Sequence, residues 1–289
     1  MFTDRFAPSP TGELHLGHAF SAWLGWSGAR AAGGRFLVRM EDLDRDRSRP
    51  DFAAAILRDL AWLGIDWDGP VLFQSTRLAA YQAALTRLAA RGLTYRCACT
   101  RRDIAEAAAA PQEGASPAHG PDGPVYPGTC RHAPPPEGAQ AALRLDMARA
   151  IAALGGAAAV ARLGFREVDA GPQGETGWIA LDAAALVAGT GDIVLRRRDG
   201  APAYHLAVVV DDAHQGVTRV TRGRDLFTAT PVQRILQALL DLAAPDYRHH
   251  RLIRDATGRR LAKRDRDLSL AALRAAGADP REILAGLGL

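Results

Sequence analysis

The first eighteen residues constrain this chain more than any other stretch. Phe2-Thr3-Asp4-Arg5-Phe6-Ala7 reads as a short strand, and Pro8-Ser9-Pro10-Thr11-Gly12 must turn. From about His15 to Ala32, Leu16, Ala19, Phe20, Trp23 and Leu24 fall at i, i+3, i+4 spacing. That spacing predicts a helix, and Gly33-Gly34 stops it. Arg35-Phe36-Leu37-Val38-Arg39-Met40 then reads as a second strand, and helices are expected around 51–63 and 76–91. Strand, turn, helix and strand in this order predict an α/β fold with a parallel sheet.

Residues 107–139 break the pattern with runs of Ala, Gly and Pro ending in Pro134-Pro135-Pro136, and read as an irregular excursion inside an inserted module. A second α/β stretch returns near 192–227. Within it, Ala203-Tyr204-His205-Leu206-Ala207-Val208-Val209-Val210 is apolar enough to be a buried strand or helix. Pro231 suits the first turn of a helix expected over 231–244. The remainder, 251–289, is basic and then helical.

Composition excludes several classes. No run approaches 18 uninterrupted apolar residues, and the N-terminus lacks a basic segment followed by an apolar one. A cytoplasmic location is therefore expected. Three cysteines, an odd number, argue against a disulfide framework. The net charge of +4 is compatible with a nucleic-acid partner without pointing to one. Among 36 basic residues only Lys263 is a lysine. Codon bias explains the arginine excess but not why one lysine persists.

His15-Leu16-Gly17-His18 places two imidazoles three residues apart where a helix begins. The helix dipole and unpaired N–H groups there favour an anion, and Gly17 lets a ligand approach the backbone. Polyphosphate is the ligand this pattern suits. Two histidines that merely cap the helix, or a metal pair, are the plainer readings. Cys97-Ala98-Cys99 and Cys130 bring three thiols into 34 residues, one short of a zinc tetrahedron. His119, Tyr126 and His132 are candidates for the fourth position, a histidine being preferred on zinc chemistry alone. Three unrelated buried thiols are the alternative.

The strand, Pro-Ser-Pro-Thr-Gly and His-Leu-Gly-His together resemble the signature of class I aminoacyl-tRNA synthetases. Arg5-Phe6-Ala7-Pro8-Ser9-Pro10-Thr11-Gly12, Arg39-Met40-Glu41-Asp42-Leu43-Asp44, Tyr204 to Asp212, Gly216-Val217-Thr218 and Arg222-Gly223-Arg224-Asp225 are similar to its glutamyl branch. The resemblance covers nearly the whole chain. It implies ATP-dependent activation of L-glutamate to an adenylate without need of tRNA, then transfer to RNA, with Mg²⁺ accompanying the ATP. It implies glutamate contacts from Arg5, Phe6, Ala7, Pro8, Ser9, Glu41, Tyr204 and Arg222. Arginines suit carboxylates and Glu41 suits the α-ammonium. Taken singly, Arg5 and Glu41 could equally pair with each other at the surface. His15, Gly17 and His18 take the ATP, with His15 and His18 acting in catalysis.

Arg260-Leu261-Ala262-Lys263-Arg264 resembles the family's Lys-Met-Ser-Lys-Ser loop in degenerate form. Lys263 falls on its second lysine and is expected to bind ATP and act in catalysis, as a compact cation does beside a developing phosphate charge. A solvated basic loop over Arg259–Arg266 is the bland alternative. Tyr126-Pro127-Gly128-Thr129-Cys130 resembles the zinc element of a short branch of the family that glutamylates queuosine in tRNA(Asp). This resemblance names Cys97, Cys99, Tyr126 and Cys130 as ligands of one structural Zn²⁺. The chain ends 26 residues after Lys263, which leaves no room for an anticodon-binding module after the loop and fits the same branch.

The fold expected is a class I synthetase, Rossmann-like parallel sheet with a zinc-bearing insertion and a small helical C-terminal segment. Its segments are 1–95 and 188–236 for the two halves of the sheet domain, 96–187 for the insertion and 237–289 for the helical segment with the lysine loop. The partners expected are L-glutamate, ATP and tRNA(Asp) carrying queuosine, which the basic stretch Arg248–Arg266 could help hold, and the chain is expected to act as a monomer. Two rivals stand beside this: a synthetase charging another acceptor, and a weak pseudo-synthetase that binds RNA.

Overall fold

The computed structural model describes residues 1–109, 119–121, 123–254 and 269–289. The N-terminal half runs β1 (Thr3–Phe6), α1 (Leu16–Ala31), β2 (Arg35–Met40), α2 (Pro50–Trp62), β3 (Leu72–Phe73), a 3₁₀ turn (Gln74–Arg77) and α3 (Leu78–Ala90). The middle runs β4 (Thr94–Cys97), α4 (Arg101–Ala109), β5 (His119–Gly120), β6 (Gly123–Pro124), α5 (Thr129–His132), β7 (Ala142–Leu145), α6 (Met147–Ala153), α7 (Gly156–Arg162), β8 (Gly164–Glu167), β9 (Gly177–Ala180), α8 (Ala183–Ala185) and β10 (Val194–Arg196). The last part runs α9 (Tyr204–His214), β11 (Arg219–Gly223), α10 (Thr230–Leu239), β12 (Asp246–His250), α11 (Leu270–Ala275) and α12 (Pro280–Gly286).

The strands β1, β2 and β3 pair in parallel, with Thr3 opposite Arg35 and Phe6 opposite Val38. A second sheet runs β11, β12, β8, β9, its first three strands parallel and β9 antiparallel. The two meet where β1 lies beside β11. Here side chains replace most of a ladder: Thr218 N–H donates to Thr3 O (2.9 Å), and Thr3 N–H donates to Thr218 Oγ1 (2.9 Å). The buried Asp4 carboxylate accepts from Arg5 N–H (2.8 Å), Thr221 N–H (3.2 Å) and the Thr221 hydroxyl (2.6 Å). The chain leaves β1 toward β2 on one side and later returns on the other. Such a switch of direction opens a crevice at the C-terminal ends of the strands.

Two apolar clusters stiffen the walls of that crevice. One joins Ala19, Phe20 and Ala22 of α1, Phe36, Val38 and Met40 of β2, Ile56 and Leu60 of α2, and Leu270 and Leu284 of the C-terminal helices. In α1 the buried residues recur at helical spacing, and at Gly25 a Cβ would lie 3.1 Å from the Phe36 ring, so the missing side chain lets α1 settle on β2. The other cluster joins Tyr81 and Leu88 of α3, Leu206 to Val209 of α9, Val220, Tyr247, and Val232 to Leu239 of α10. Asp211, fully buried, ties α3 to α9 by accepting from Gln74 Nε2 (2.9 Å), Arg77 Nε (2.6 Å) and Tyr81 OH (2.7 Å). The strands β10, β7 and β4 form a separate antiparallel sheet that leads to the cysteines.

Several expectations sharpen or shift. The apolar stretch 203–210 is helical from Tyr204. The helix expected over 231–244 ends at Leu239, because Asp241 adopts a left-handed φ of 51° and the chain reverses before Pro245. The C-terminal stretch contains a strand, β12, with the polar sequence Asp-Tyr-Arg-His-His, which no apolar run announces. Strands cross the expected segment borders: β12 from beyond 236 and β8 from within 96–187 join the sheet of β11. No described helix is long and apolar enough to cross a membrane.

Candidate active site

A cavity of about 370 Å³ opens at the crevice and is lined by every described residue expected to bind glutamate or ATP: Arg5, Phe6, Ala7, Pro8, Ser9, His15, Gly17, His18, Glu41, Tyr204 and Arg222. β1 supplies the first of these from its C-terminal end, β2 leads into Glu41, α9 begins with Tyr204, and β11 carries Arg222. Lys263 of the lysine loop, with Arg260, Ala262 and Arg264, lies outside the described residues. The described chain on either side of it reaches the same place: Leu252 and Ile253 line the cavity, and Ser269 bridges to His15 while Leu270 N–H donates to Leu14 O (2.8 Å).

His15 is the N-cap of α1 rather than part of its first turn. Its Nδ1 accepts from Gly17 N–H (3.1 Å), while His18 Nδ1 accepts from His15 N–H (3.2 Å). The rings stack with centroids 3.8 Å apart. The space a side chain on Gly17 would need is taken by the His15 ring, since a Cβ added there would lie 3.0 Å from it. Residues that cap the helix thus also line the cavity. An Nδ1 that accepts leaves the proton of a neutral imidazole on Nε2.

Arg5 and Glu41 do not form the simple surface pair. Arg5 is buried and its Nε donates to Asp212 Oδ1 (3.1 Å). Arg39, with no exposed surface, donates to the same oxygen (2.7 Å), to Gln215 Oε1 (3.0 Å) and to Glu41 Oε1 (3.3 Å). Burial alone would push the Asp212 carboxyl up, but the two guanidiniums hold it below the usual carboxylate range. For Glu41 burial wins over Arg39, and its carboxyl is raised. Arg222 is placed differently. Its Nε donates to His249 Nε2 (3.0 Å), one terminal nitrogen to Gln233 Oε1 (2.9 Å) and the other to Thr230 Oγ1 (2.8 Å).

Sequence reasoning did not single out Arg39, Asp212, Thr221, His249 or His250 as site residues. Arginine inside the apolar strand 35–40 and an aspartate pair closing the apolar run 203–210 were the available signals. Charges placed among such residues are buried and must be paired.

The three thiols converge on one point, with ligand atoms all within 4.8 Å of one another. Cys99 Sγ lies 3.5 Å from Cys130 Sγ and 3.5 Å from the Tyr126 phenol oxygen. A zinc tetrahedron with Zn–S near 2.3 Å has sulfurs about 3.8 Å apart, so the spacing fits. Among the described residues neither His119 nor His132 joins the three thiols, whereas Tyr126 does. Gly128, at a left-handed φ of 86°, turns the chain so that Cys130 N–H donates to the Tyr126 oxygen (2.8 Å). Burial pushes the Tyr126 phenol and the Cys99 thiol up. A bound dication reverses that by favouring the anions. The Arg144 guanidinium lies 4.0 Å over the Tyr126 ring, and Arg131 and Tyr95 both bond to Asp192 beside it.

Comparison with known proteins agrees with this geometry. The family model for the catalytic domain of the class I tRNA synthetases (E and Q) matches residues 1–141 and 178–289. The glutamyl-Q tRNA(Asp) synthetase of Rhodobacter capsulatus is 54% identical over 289 residues, covering 99% of this chain and 99% of that relative. The protein of the same name from Nocardia farcinica is 46% identical over 288 residues, covering 97% of this chain and 82% of that relative. A solved glutamate tRNA ligase from Elizabethkingia meningosepticum, in complex with its amino acid, superposes with a TM-score of 0.68 at 25% identity, covering 92% of this chain and 52% of the other. The chain thus spans about half the length of that solved ligase. The chain belongs to the class I tRNA synthetases of the E and Q group, within the glutamyl-Q tRNA(Asp) synthetase family, and is a ligase of the class I aminoacyl-tRNA synthetase type.

Proposed function

We propose that this chain activates L-glutamate with ATP to glutamyl-adenylate, without tRNA, and transfers the glutamate to queuosine in the anticodon loop of tRNA(Asp). The observation that carries the activation step is the single cavity lined by both the His15–His18 pair and Arg5, Glu41, Tyr204 and Arg222. In this reading Arg222 takes a carboxylate of the substrate, Glu41 takes the α-ammonium, and Arg5, Tyr204 and the Phe6–Ser9 backbone close the pocket around them. The glutamate carboxylate attacks the α-phosphate, a new C–O–P bond forms, and pyrophosphate leaves. His15 and His18 steady the phosphates, as donors aimed at developing charge do. Lys263 adds a mobile cation there, and Mg²⁺ arrives with the ATP, held by phosphates and water.

Cys97, Cys99, Tyr126 and Cys130 would hold one Zn²⁺. Four protein ligands leave no position for water, so the ion would serve structure. Elemental analysis should find about one zinc per chain, and a metal-free preparation that is fully folded would remove the site. The queuosine acceptor is supported by the names of the two curated relatives, and a cytoplasmic location accords with that chemistry.

The deciding experiment is ATP–pyrophosphate exchange with glutamate and Mg²⁺, with and without tRNA, using aspartate and glutamine as controls. Exchange with glutamate alone is expected, followed by transfer to queuosine-containing tRNA(Asp) and not to the same tRNA lacking queuosine. No exchange even with that tRNA present defeats the activation reading.

A further inference from the structure

The groups that hold Arg222 form a layer behind the cavity. Glu167, at the C-terminal end of β8, is 1% exposed. Its Oε1 accepts from the main-chain N–H of Asp169 (3.0 Å) and of His249 (3.0 Å), and its Oε2 lies 2.5 Å from His249 Nδ1. The other ring nitrogen, His249 Nε2, faces Arg222 Nε at 3.0 Å. A guanidinium only donates, so Nε2 must present a lone pair and the His249 proton sits on Nδ1, where Glu167 accepts it. Burial pushes His249 down, which keeps the ring neutral.

The partners of Arg222 are therefore all neutral: His249, Gln233 and Thr230. Among the described residues it makes no ion pair, in contrast to Arg5 on Asp212. Three of a guanidinium's five N–H groups are spent, leaving one on each terminal nitrogen. That is the number a carboxylate needs for a two-point contact. Had Glu167 met Arg222 directly, the cation would already be neutralised. With an imidazole between them, the carboxylate fixes the plane of the guanidinium without cancelling its charge at contact. A buried cation left in this state gains far more from a substrate carboxylate than from a neutral carboxamide.

We infer that Glu167 and His249 are positioning residues that hold Arg222 as an oriented, uncancelled cation and thereby set the preference for glutamate over glutamine. The inference rests on the reading of Arg222 as a residue that binds the substrate. Neither Glu167 nor His249 lines the cavity, so both act through Arg222.

The test compares Glu167→Gln, His249→Leu and His249→Gln with the wild-type chain in ATP–pyrophosphate exchange, with thermal melting as a check on folding. In Glu167→Gln an amide N–H must face either the imidazole, which then loses its Nδ1–H tautomer, or the main-chain N–H groups of Asp169 and His249, which then lose their acceptor and no longer fix the ring. The KM for glutamate is expected to rise at least about tenfold and the glutamate-to-glutamine preference to narrow by a similar factor. The KM for ATP and kcat should stay within about threefold of wild type. His249→Leu should behave likewise, whereas His249→Gln supplies an oxygen that can accept from Arg222 and should stay within about threefold of wild type. Nitrogen-15 NMR of the wild-type chain adds a readout that needs no turnover. The His249 signal, assigned by its loss in His249→Gln, should show a neutral ring protonated on Nδ1.

Equal losses for ATP and glutamate, an unchanged glutamate KM in folded Glu167→Gln, or a ring protonated on Nε2 each overturn the inference. Wild-type exchange combined with an insensitive Glu167→Gln sinks the inference alone. A wild-type chain with no glutamate-dependent exchange sinks the reading of the pocket, and the inference with it.

Discussion

The two walls of the cavity handle charge in opposite ways. The wall built on β1, β2 and α9 holds Arg5, Arg39, Asp212 and Glu41, two cations and two carboxylates in mutual contact. The wall built on β11, β12 and α10 holds Arg222 among neutral acceptors, with its nearest bonded acid one imidazole away. The charges of the first wall bond to one another, which favours rigidity, while Arg5 and Glu41 also line the cavity. The second leaves its cation without an ion-pair partner among the described residues, and in the proposed reading the substrate carboxylate supplies one. Buried charges are bonded to opposite charges within one wall and to neutral groups in the other.

Breaking the balanced wall should have the largest effect. Asp212→Asn leaves Arg5 and Arg39 buried without their shared carboxylate and should cost about 3–5 kcal/mol of stability, read by denaturant unfolding. Because Asp212 is held below its unfolded value, its contribution is present above about pH 4 and is lost as pH falls through the folded value. The variant should lack that share of the acid-side loss. Equal stability of variant and wild type at neutral pH would contradict the pairing.

On the open wall the effect should move from stability to affinity. Arg222→Gln removes a buried cation that has no ion-pair partner among the described residues, so melting should change little. The KM for glutamate should rise about a hundredfold, roughly 2.7 kcal/mol. Arg222→Lys should recover little of it, since an ammonium lacks the fork. A large fall in stability with an unmoved KM would erase the distinction between the walls.

Glu41 tests the border between them. Its carboxyl is raised, so the native state holds its proton more tightly than the unfolded chain, and ionisation opposes folding as pH rises through that window. Glu41→Gln should therefore melt no lower than wild type at neutral pH, yet bind glutamate about tenfold or more weakly, read by titration calorimetry. The smallest effect is expected at a position outside the described residues. Lys263→Ala should slow adenylate formation about tenfold, roughly 1.4 kcal/mol, with little change in the KM for glutamate.

The contrast between the walls also explains what the sequence could and could not reveal. Local signals were enough for β1, the Pro/Gly turn and α1, because strand, turn and helix declare themselves within about twenty residues. The cavity residues were legible as motif positions. The network beneath them was not. Arg39 meets Asp212 across 173 residues of chain and Arg222 meets His249 across 27, and no periodicity records such closures. The run 203–210 stayed ambiguous between strand and helix because apolar residues all round an element erase its period. β12 was missed for the reverse reason, since Tyr247, His249 and His250 are buried by the site and not by an apolar pattern. The thiols were legible from spacing, but three candidates for the fourth ligand could be narrowed only once the fold set Tyr126 beside Cys99 and left His119 and His132 outside the cluster.

The join between β1 and β11 carries one last consequence. Each wall hangs from its own half-sheet, and the halves meet through the Asp4 carboxylate and the Thr3–Thr218 contacts rather than a full ladder. Asp4 bonds to Arg5 N–H on one strand and to Thr221, the neighbour of Arg222, on the other. A carboxylate inserted between two strands therefore fastens the strand that carries Arg5 to the strand that carries Arg222. The two arginines on either side of the cavity are thus tied, one residue away in each case, to the same buried side chain.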